Sequence, residues 1–233
     1  MERFTRLYPG RAEGLVAGDV AADGLPRPAV AGRRPFVALN MIATADGRAA
    51  IAGRTGPLGN PADYELFHAL RARADAVLVG AGTVRAEGYG PMEQLAVVVS
   101  RSLDLPPDRG LLAAPRNRVV IVTPSPAGEL PPCAADVSYL READVAVALA
   151  RLRSEYGVAV VVCEGGPGLN ATLVPAGLVD ELHLVVAAKL AGGPNPLTVL
   201  EGPELEPPAG LTLLAVHESG GYLFLRYGLP APQ

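Results

Sequence analysis

Tryptophan is absent from this 233-residue chain, lysine occurs once (Lys189) among 20 basic residues, and there are only two cysteines and three histidines. Each shortage closes off a class of function. Cys133 and Cys163 stand far apart with no histidine at ligand spacing, so no metal site or disulfide framework is expected. The H-x-E and P-C-x-x-C pattern of zinc deaminases is missing. So are the G-x-S-x-G elbow and the Walker A loop. Acidic residues outnumber basic ones, for a net charge of −4, which argues against a nucleic-acid partner. No apolar run reaches the length of a membrane span. The opening MERFTRLYPGRAEG lacks the apolar core of a signal peptide. The expectation is a soluble, cytoplasmic protein that engages neither nucleic acid nor membrane.

Glycine and proline are what the chain has in excess, 27 and 23 residues, about a fifth of the total against roughly 12% in average proteins. The hydrophobic share of 49% is too high for disorder, so a packed domain is expected. Residues 1–34 show no sustained period and read as a partly ordered extension, flexible around Asp23 to Arg34. Residues 35–233 read as one domain. Within it, apolar strands alternate with helical patterns. Strands are expected at Phe36–Ala43, Asp75–Gly80, Leu95–Ser100, Arg118–Thr123, Val158–Glu164 and Leu182–Ala187. A closing hairpin pairs Leu211–His217 with Tyr222–Tyr227. Helices are expected at Pro61–Ala74, from Thr83, at Asp144–Tyr156, and from Gly166 to Ala176. Continuous valine-rich strands separated by helices imply an α/β fold with a mostly parallel sheet flanked by helices, to which the hairpin adds antiparallel strands.

Ligands of such sheets collect where strands end in glycine-rich turns that open helices. Two turns qualify. Glu164-Gly165-Gly166-Pro167-Gly168-Leu169-Asn170-Ala171-Thr172 follows the most apolar strand, and its glycines permit close approach of a pyrophosphate. Gly80-Ala81-Gly82-Thr83 repeats the pattern. Ser100-Arg101, at the end of a third strand, offers a hydroxyl and a guanidinium to a monoester phosphate. Each of these features also has a plain structural reading, as a tight turn or a surface arginine. Asp46-Gly47 is a turn signal in its own right. Asn40 and Thr44 sit as polar residues in an apolar strand, either facing a ligand or bonded within the sheet. Glu164 closes a buried strand and needs a partner, an arginine or a ligand amide.

The blocks NMIATADGRAA, LRARADAVLVGAGTVRAEGYG, VVVSRSLDLPP and CEGGPGLNATLVPAGLVDELHL resemble, in this order, the pyrimidine reductases of riboflavin biosynthesis. These are the reductase domains of the bifunctional deaminase–reductase, which share the dihydrofolate reductase fold. The resemblance spans about Pro35 to Tyr227. It implies a homodimer, and NADPH bound along Gly165, Gly166, Pro167, Gly168, Leu169, Asn170 and Thr172, with Gly82 and Thr83 opposite. Ser100 and Arg101 would sit at the adenosine 2′-phosphate, and the segment Ile42 to Leu58 would cover the nicotinamide. Asn40, Asp46, Arg71 and Glu164 fall where substrate is held, and Glu164 and Glu87 are the candidate catalytic carboxyls. No metal is implied.

The chain departs from the family where an Asp-Asp-Pro-x-Leu stretch is usual: here it reads Ala86-Glu87-Gly88-Tyr89-Gly90-Pro91-Met92. The expected reaction is NADPH-dependent reduction of a ribosylaminopyrimidine phosphate, either 5-amino-6-(5-phosphoribosylamino)uracil or its 2,5-diamino precursor. The alternatives are a dihydrofolate reductase-like activity on a pterin or another pyrimidine, and an NADPH-binding protein without turnover.

Overall fold

Eleven strands form one sheet in the order β2-β1-β10-β11-β9-β3-β8-β4-β5-β6-β7. The computed structural model describes residues 1–25 and 32–230. The parallel half runs from β3 (Phe36–Thr44) through β8 (Val160–Cys163), β4 (Ala76–Gly80), β5 (Leu95–Val99) and β6 (Arg118–Thr123) to β7 (Asp136–Arg141). On its other side β3 pairs in parallel with β9 (Glu181–Ala187). From there the sheet turns antiparallel through β11 (Tyr222–Gly228), β10 (Thr212–Ser219), β1 (Phe4–Tyr8) and β2 (Ala12–Leu15). This is the mostly parallel sheet with a C-terminal antiparallel hairpin that the strand patterns predict.

The pleat sorts the valine-rich strands onto two cores, because successive side chains leave a strand on opposite faces. Val37, Leu39, Leu78, Val97, Val120, Val161 and Cys163 pack beneath α4 (Val145–Tyr156) and α5 (Pro167–Leu173) through Leu149, Leu152 and Leu173. On the opposite face Ala38, Val162, Val185 and Phe224 pack under α1 (Ala17–Gly24) and α2 (Pro61–Arg71). The neighbouring Val79, Val98 and Ile121 lie with Val84 of α3 (Ala81–Glu87) and with Leu105, Leu111 and Leu112 of a loop. Burying each such side chain contributes roughly 1.5–3 kcal/mol, so this doubly covered half carries much of the apolar stabilisation.

Local signals set the helix ends. The Asn60 side chain accepts the Asp63 N–H at 2.8 Å, and Pro61 occupies the first helical position of α2. Asp144 caps α4 through the Ala146 N–H at 2.7 Å, and Gly157 ends it in the left-handed region at φ +69°.

The structure corrects the sequence expectations in four places. β7 was not expected: it is an edge strand of which only Leu140 is buried, so the apolar run that marks an inner strand is missing. α2 ends at Arg71 rather than Ala74, as Arg73 and Ala74 donate to Leu70 and Arg71 in tight turns. α5 ends at Leu173 rather than Ala176. Asp23 and Gly24, placed in the flexible stretch, close α1; residues 26–31 of that stretch lie outside the described residues. Ahead of α1, β1 pairs with β10, and the Phe4 ring meets Phe224 edge-on at 5.1 Å.

Candidate active site

A cleft of about 990 Å³ opens along the carboxyl ends of β4, β5, β6 and β8, where an open parallel sheet holds its ligands. Two turns form its floor. The Gly80 N–H donates to the Gly165 carbonyl at 2.7 Å, joining the ends of β4 and β8. Gly165 has φ +79°, a conformation that favours glycine. A Cβ on Gly166 would lie 2.6 Å from the Thr83 hydroxyl oxygen, so only glycine lets the two turns face one another this closely. Gly82 and Thr83 line one wall, and Gly166, Pro167, Gly168, Leu169 and Thr172 line the other. Ser100 and Arg101 stand at the end of β5 on the same cleft. The Ser100 hydroxyl oxygen accepts the Leu103 N–H at 3.0 Å, which shapes the turn that presents Arg101. Beside it, Arg85 donates to the Asp104 carbonyl at 2.6 Å.

The other end of the cleft is bordered by Met41, Ala49, Ala50, Gly53, Thr55, Glu87 and Glu164. Glu164 is nearly buried, its side chain 3% exposed. Arg71 grips it with two bonds, Nε to Oε1 at 2.6 Å and Nη2 to Oε2 at 2.7 Å. The Tyr89 hydroxyl donates a third, to Oε2 at 2.8 Å. The Arg71 guanidinium lies over the Phe67 ring at 4.1 Å and the Tyr89 ring at 5.2 Å, which adds cation–π attraction in a site sheltered from water. Burial, and then Glu164, pushes the Tyr89 phenol well above its usual range, so it stays a donor. Burial works against the Arg71 charge, but the bonds to Glu164 outweigh it and raise the guanidinium further. Glu87 has a different task in the apo geometry: its Oε1 accepts the Thr55 N–H at 2.8 Å and ties the 44–58 segment to α3.

Several residues singled out in the sequence lie off the cleft. Met41, not Ile42, reaches it, because the pleat turns the next side chain to the opposite core. Leu58 is fully buried, and its carbonyl accepts from the Tyr222 hydroxyl and the Lys189 ammonium. Asn170 is also fully buried; its amide donates to the Val199 carbonyl at 2.8 Å and so braces α5 against the 197–201 loop. Gly165 acts through its carbonyl rather than as part of the wall. Asn40 lines a separate cavity of about 20 Å³ with His183, His217 and Arg226. Asp46 is engaged by the Thr44 hydroxyl and by the N–H groups of Gly192 and Ala191, which hold its carboxyl down at about 2. Arg71 reaches the site only through Glu164. In the other direction, sequence reasoning missed Tyr89, Met41 and Thr55. Tyr89 lay inside the departing stretch, just after Gly88, which turns the chain at φ +64°.

The arrangement of two facing glycine turns with a serine–arginine pair is matched by comparison with known proteins. The RibD C-terminal domain family matches residues 35–221. The chain belongs to this family. It is 29% identical over 204 residues to the 2,5-diamino-6-ribosylamino-4(3H)-pyrimidinone 5′-phosphate reductase of Methanothermobacter thermautotrophicus, covering 80% of this chain and 93% of that one. The RibD proteins it matches are longer, and it spans about half of their length. A pyrimidine reductase-like protein from Corynebacterium diphtheriae shares the fold, with a TM-score of 0.74 at 21% identity over 94% of this chain and all of that one. Dihydrofolate reductase from Enterococcus faecalis also superposes, at TM-score 0.52 and 15% identity over 83% and 96% of the two chains. The RibD C-terminal fold is thus dihydrofolate reductase-like here, and the family is one of pyrimidine reductases of riboflavin biosynthesis. Among the described residues no helix is long and apolar enough to cross a membrane.

Proposed function

We propose that this chain is an NADPH-dependent reductase of a ribosylaminopyrimidine phosphate, with the reductase unit in residues 35–233 and residues 1–34 as an extension on the sheet edge. The observation that carries the reading is the pair of glycine turns, Gly80–Thr83 and Gly165–Gly168, facing one another across the cleft with no room for a Cβ between Gly166 and Thr83. Backbone N–H groups and the Thr83 hydroxyl suit a pyrophosphate. Arg101 and Ser100, with no carboxylate beside them at the end of β5, suit a 2′-phosphate.

The cofactor would supply a hydride to C1′ of the opened ribosylamino group. The chain supplies position and dryness. The 44–58 segment, tied down by Glu87 and Asp46, closes over the end of the cleft bordered by Met41, Ala49 and Ala50. Glu164, bonded by three donors, is a fixed anion that orients the substrate rather than releasing a proton. Glu87 is the carboxyl with an oxygen left over to deliver one, directly or through water.

We further propose a cytoplasmic homodimer. Cys133 and Cys163 are both free thiols, as expected of a reducing compartment. Opposite the α1–α2 face, Leu182, Leu184, Val186, Leu225 and Tyr227 are only half-buried and Leu223 is exposed across β9 and β11, an apolar face suited to a second copy. The test is absorbance loss of NADPH with the ribosylaminopyrimidine phosphates and with dihydrofolate, alongside light scattering for the mass. Reduction of a pyrimidine phosphate at twice the monomer mass is expected; NADPH left unconsumed by every substrate would refute the enzyme.

A further inference from the structure

A carboxylate offers about four lone-pair sites, two on each oxygen. On Glu164 three are taken by the protein itself. Arg71 Nη2 and the Tyr89 hydroxyl both end on Oε2, at 2.7 and 2.8 Å, and Arg71 Nε ends on Oε1 at 2.6 Å. Oε2 is therefore full, and Oε1 keeps a single site. The side chain still borders the cleft, so what it can offer a ligand is one hydrogen bond from one oxygen. The second carboxylate at this end is also committed, since Glu87 Oε1 holds the Thr55 N–H. Forking both of its oxygens around a ligand would compete with the bond that keeps the covering segment in place.

The candidate substrates differ at this point in chemistry. A 2-amino-4-oxopyrimidine ring, in the diamino compound as in a pterin, presents two donors side by side, the amino N–H and the neighbouring ring N–H. That edge asks for both oxygens of one carboxylate, as a guanidinium does. A uracil ring presents a single N–H between two carbonyls. We infer that the Arg71–Glu164–Tyr89 cluster makes this chain selective for the uracil-type, already deaminated substrate, with Tyr89 as the residue that sets the preference. A class of reaction that hydrolyses the exocyclic 2-amino group to a carbonyl must then precede this one. Tyr89 acts as a positioning residue through Glu164, and the inference rests on the reductase reading above. Binding a paired-donor ring would leave one buried N–H without an acceptor, a loss of roughly tenfold or more in affinity.

The experiment compares kcat/KM at saturating NADPH for the uracil and diamino forms of the ribosylaminopyrimidine phosphate, with dihydrofolate as a third substrate. It uses the full chain and the variants Tyr89→Phe and Arg71→Lys. Each variant removes a donor from Glu164 and frees an oxygen site. NADPH titration of every protein reports whether the fold and the cofactor end survive. The expected result is a preference of about tenfold for the uracil form, narrowing several-fold toward the diamino form in the variants, chiefly through KM. Equal or better use of the diamino form by the native chain would overturn the inference while leaving the reductase reading standing. So would a ratio that neither variant moves. Consumption of NADPH with none of the three substrates would overturn both.

Discussion

The two halves of the sheet are built to different rules. In the parallel half, β3 to β7 are covered on both faces, so strands such as Val77–Val79 and Val119–Val122 are buried at every position. In the antiparallel half, β9 and β11 alternate, with Val185 and Phe224 inside while Leu184, Leu223 and Leu225 are left partly open. The difference separates two tasks. Parallel strands end together at one edge, which is where glycine turns and helix starts can gather a ligand. Antiparallel strands offer a flat face, which is where another copy can dock.

Substitutions should tell the halves apart, the largest effect first. Leu149→Ala, under α4 in the doubly covered half, is expected to lower stability by about 2–5 kcal/mol, read as a shift in the denaturant midpoint. Leu223→Ser on the open face should leave the monomer's midpoint nearly unchanged and instead lower the mass in light scattering. Equal destabilisation by both would erase the distinction. Next, Gly166→Val should weaken NADPH about a hundredfold, on the scale of losing a buried polar contact or two, because its Cβ takes the space before Thr83. Circular dichroism should show the fold intact.

Two aspartates give the smallest effects, with opposite signs. Burial raises Asp63 to about 6, so the folded state binds an extra proton between about pH 4 and 6. Its contribution to stability therefore falls as pH rises through that window. Asp63→Asn should remove this dependence. Asp46, held at about 2 chiefly by the Thr44 hydroxyl, works the other way. Its contribution is present above about pH 4 and disappears as pH falls toward 2. Urea midpoints measured from pH 3 to 8 on the native chain and on D63N and D46N check both signs.

Legibility in the sequence follows the same division. Inner parallel strands announce themselves as unbroken valine runs, and the glycine turns follow them directly, so the cofactor end of the cleft was readable residue by residue from Gly82 to Thr172. β7 was not, since an edge strand with one buried leucine carries no such run. Ile42 was read where Met41 acts, because a run of apolar residues hides which side of the pleat each one takes. Leu58 and Asn170 look like lining in the chain order, yet both are consumed in bracing loops. Tyr89 is the sharpest omission. Its role depends on Arg71 and Glu164, far away in the chain, meeting it beneath the turn, and no local pattern encodes that meeting.

The central claim is that the parallel edge binds NADPH through its phosphates. Titration of the native chain and of Arg101→Ala with NADPH and NADH, followed by cofactor fluorescence, tests it most directly. The account predicts that the native chain prefers NADPH by at least about tenfold, the scale of one charge-assisted contact, and that R101A loses most of that preference with NADH binding little changed. Binding of neither cofactor, or equal affinities that R101A leaves untouched, would contradict it.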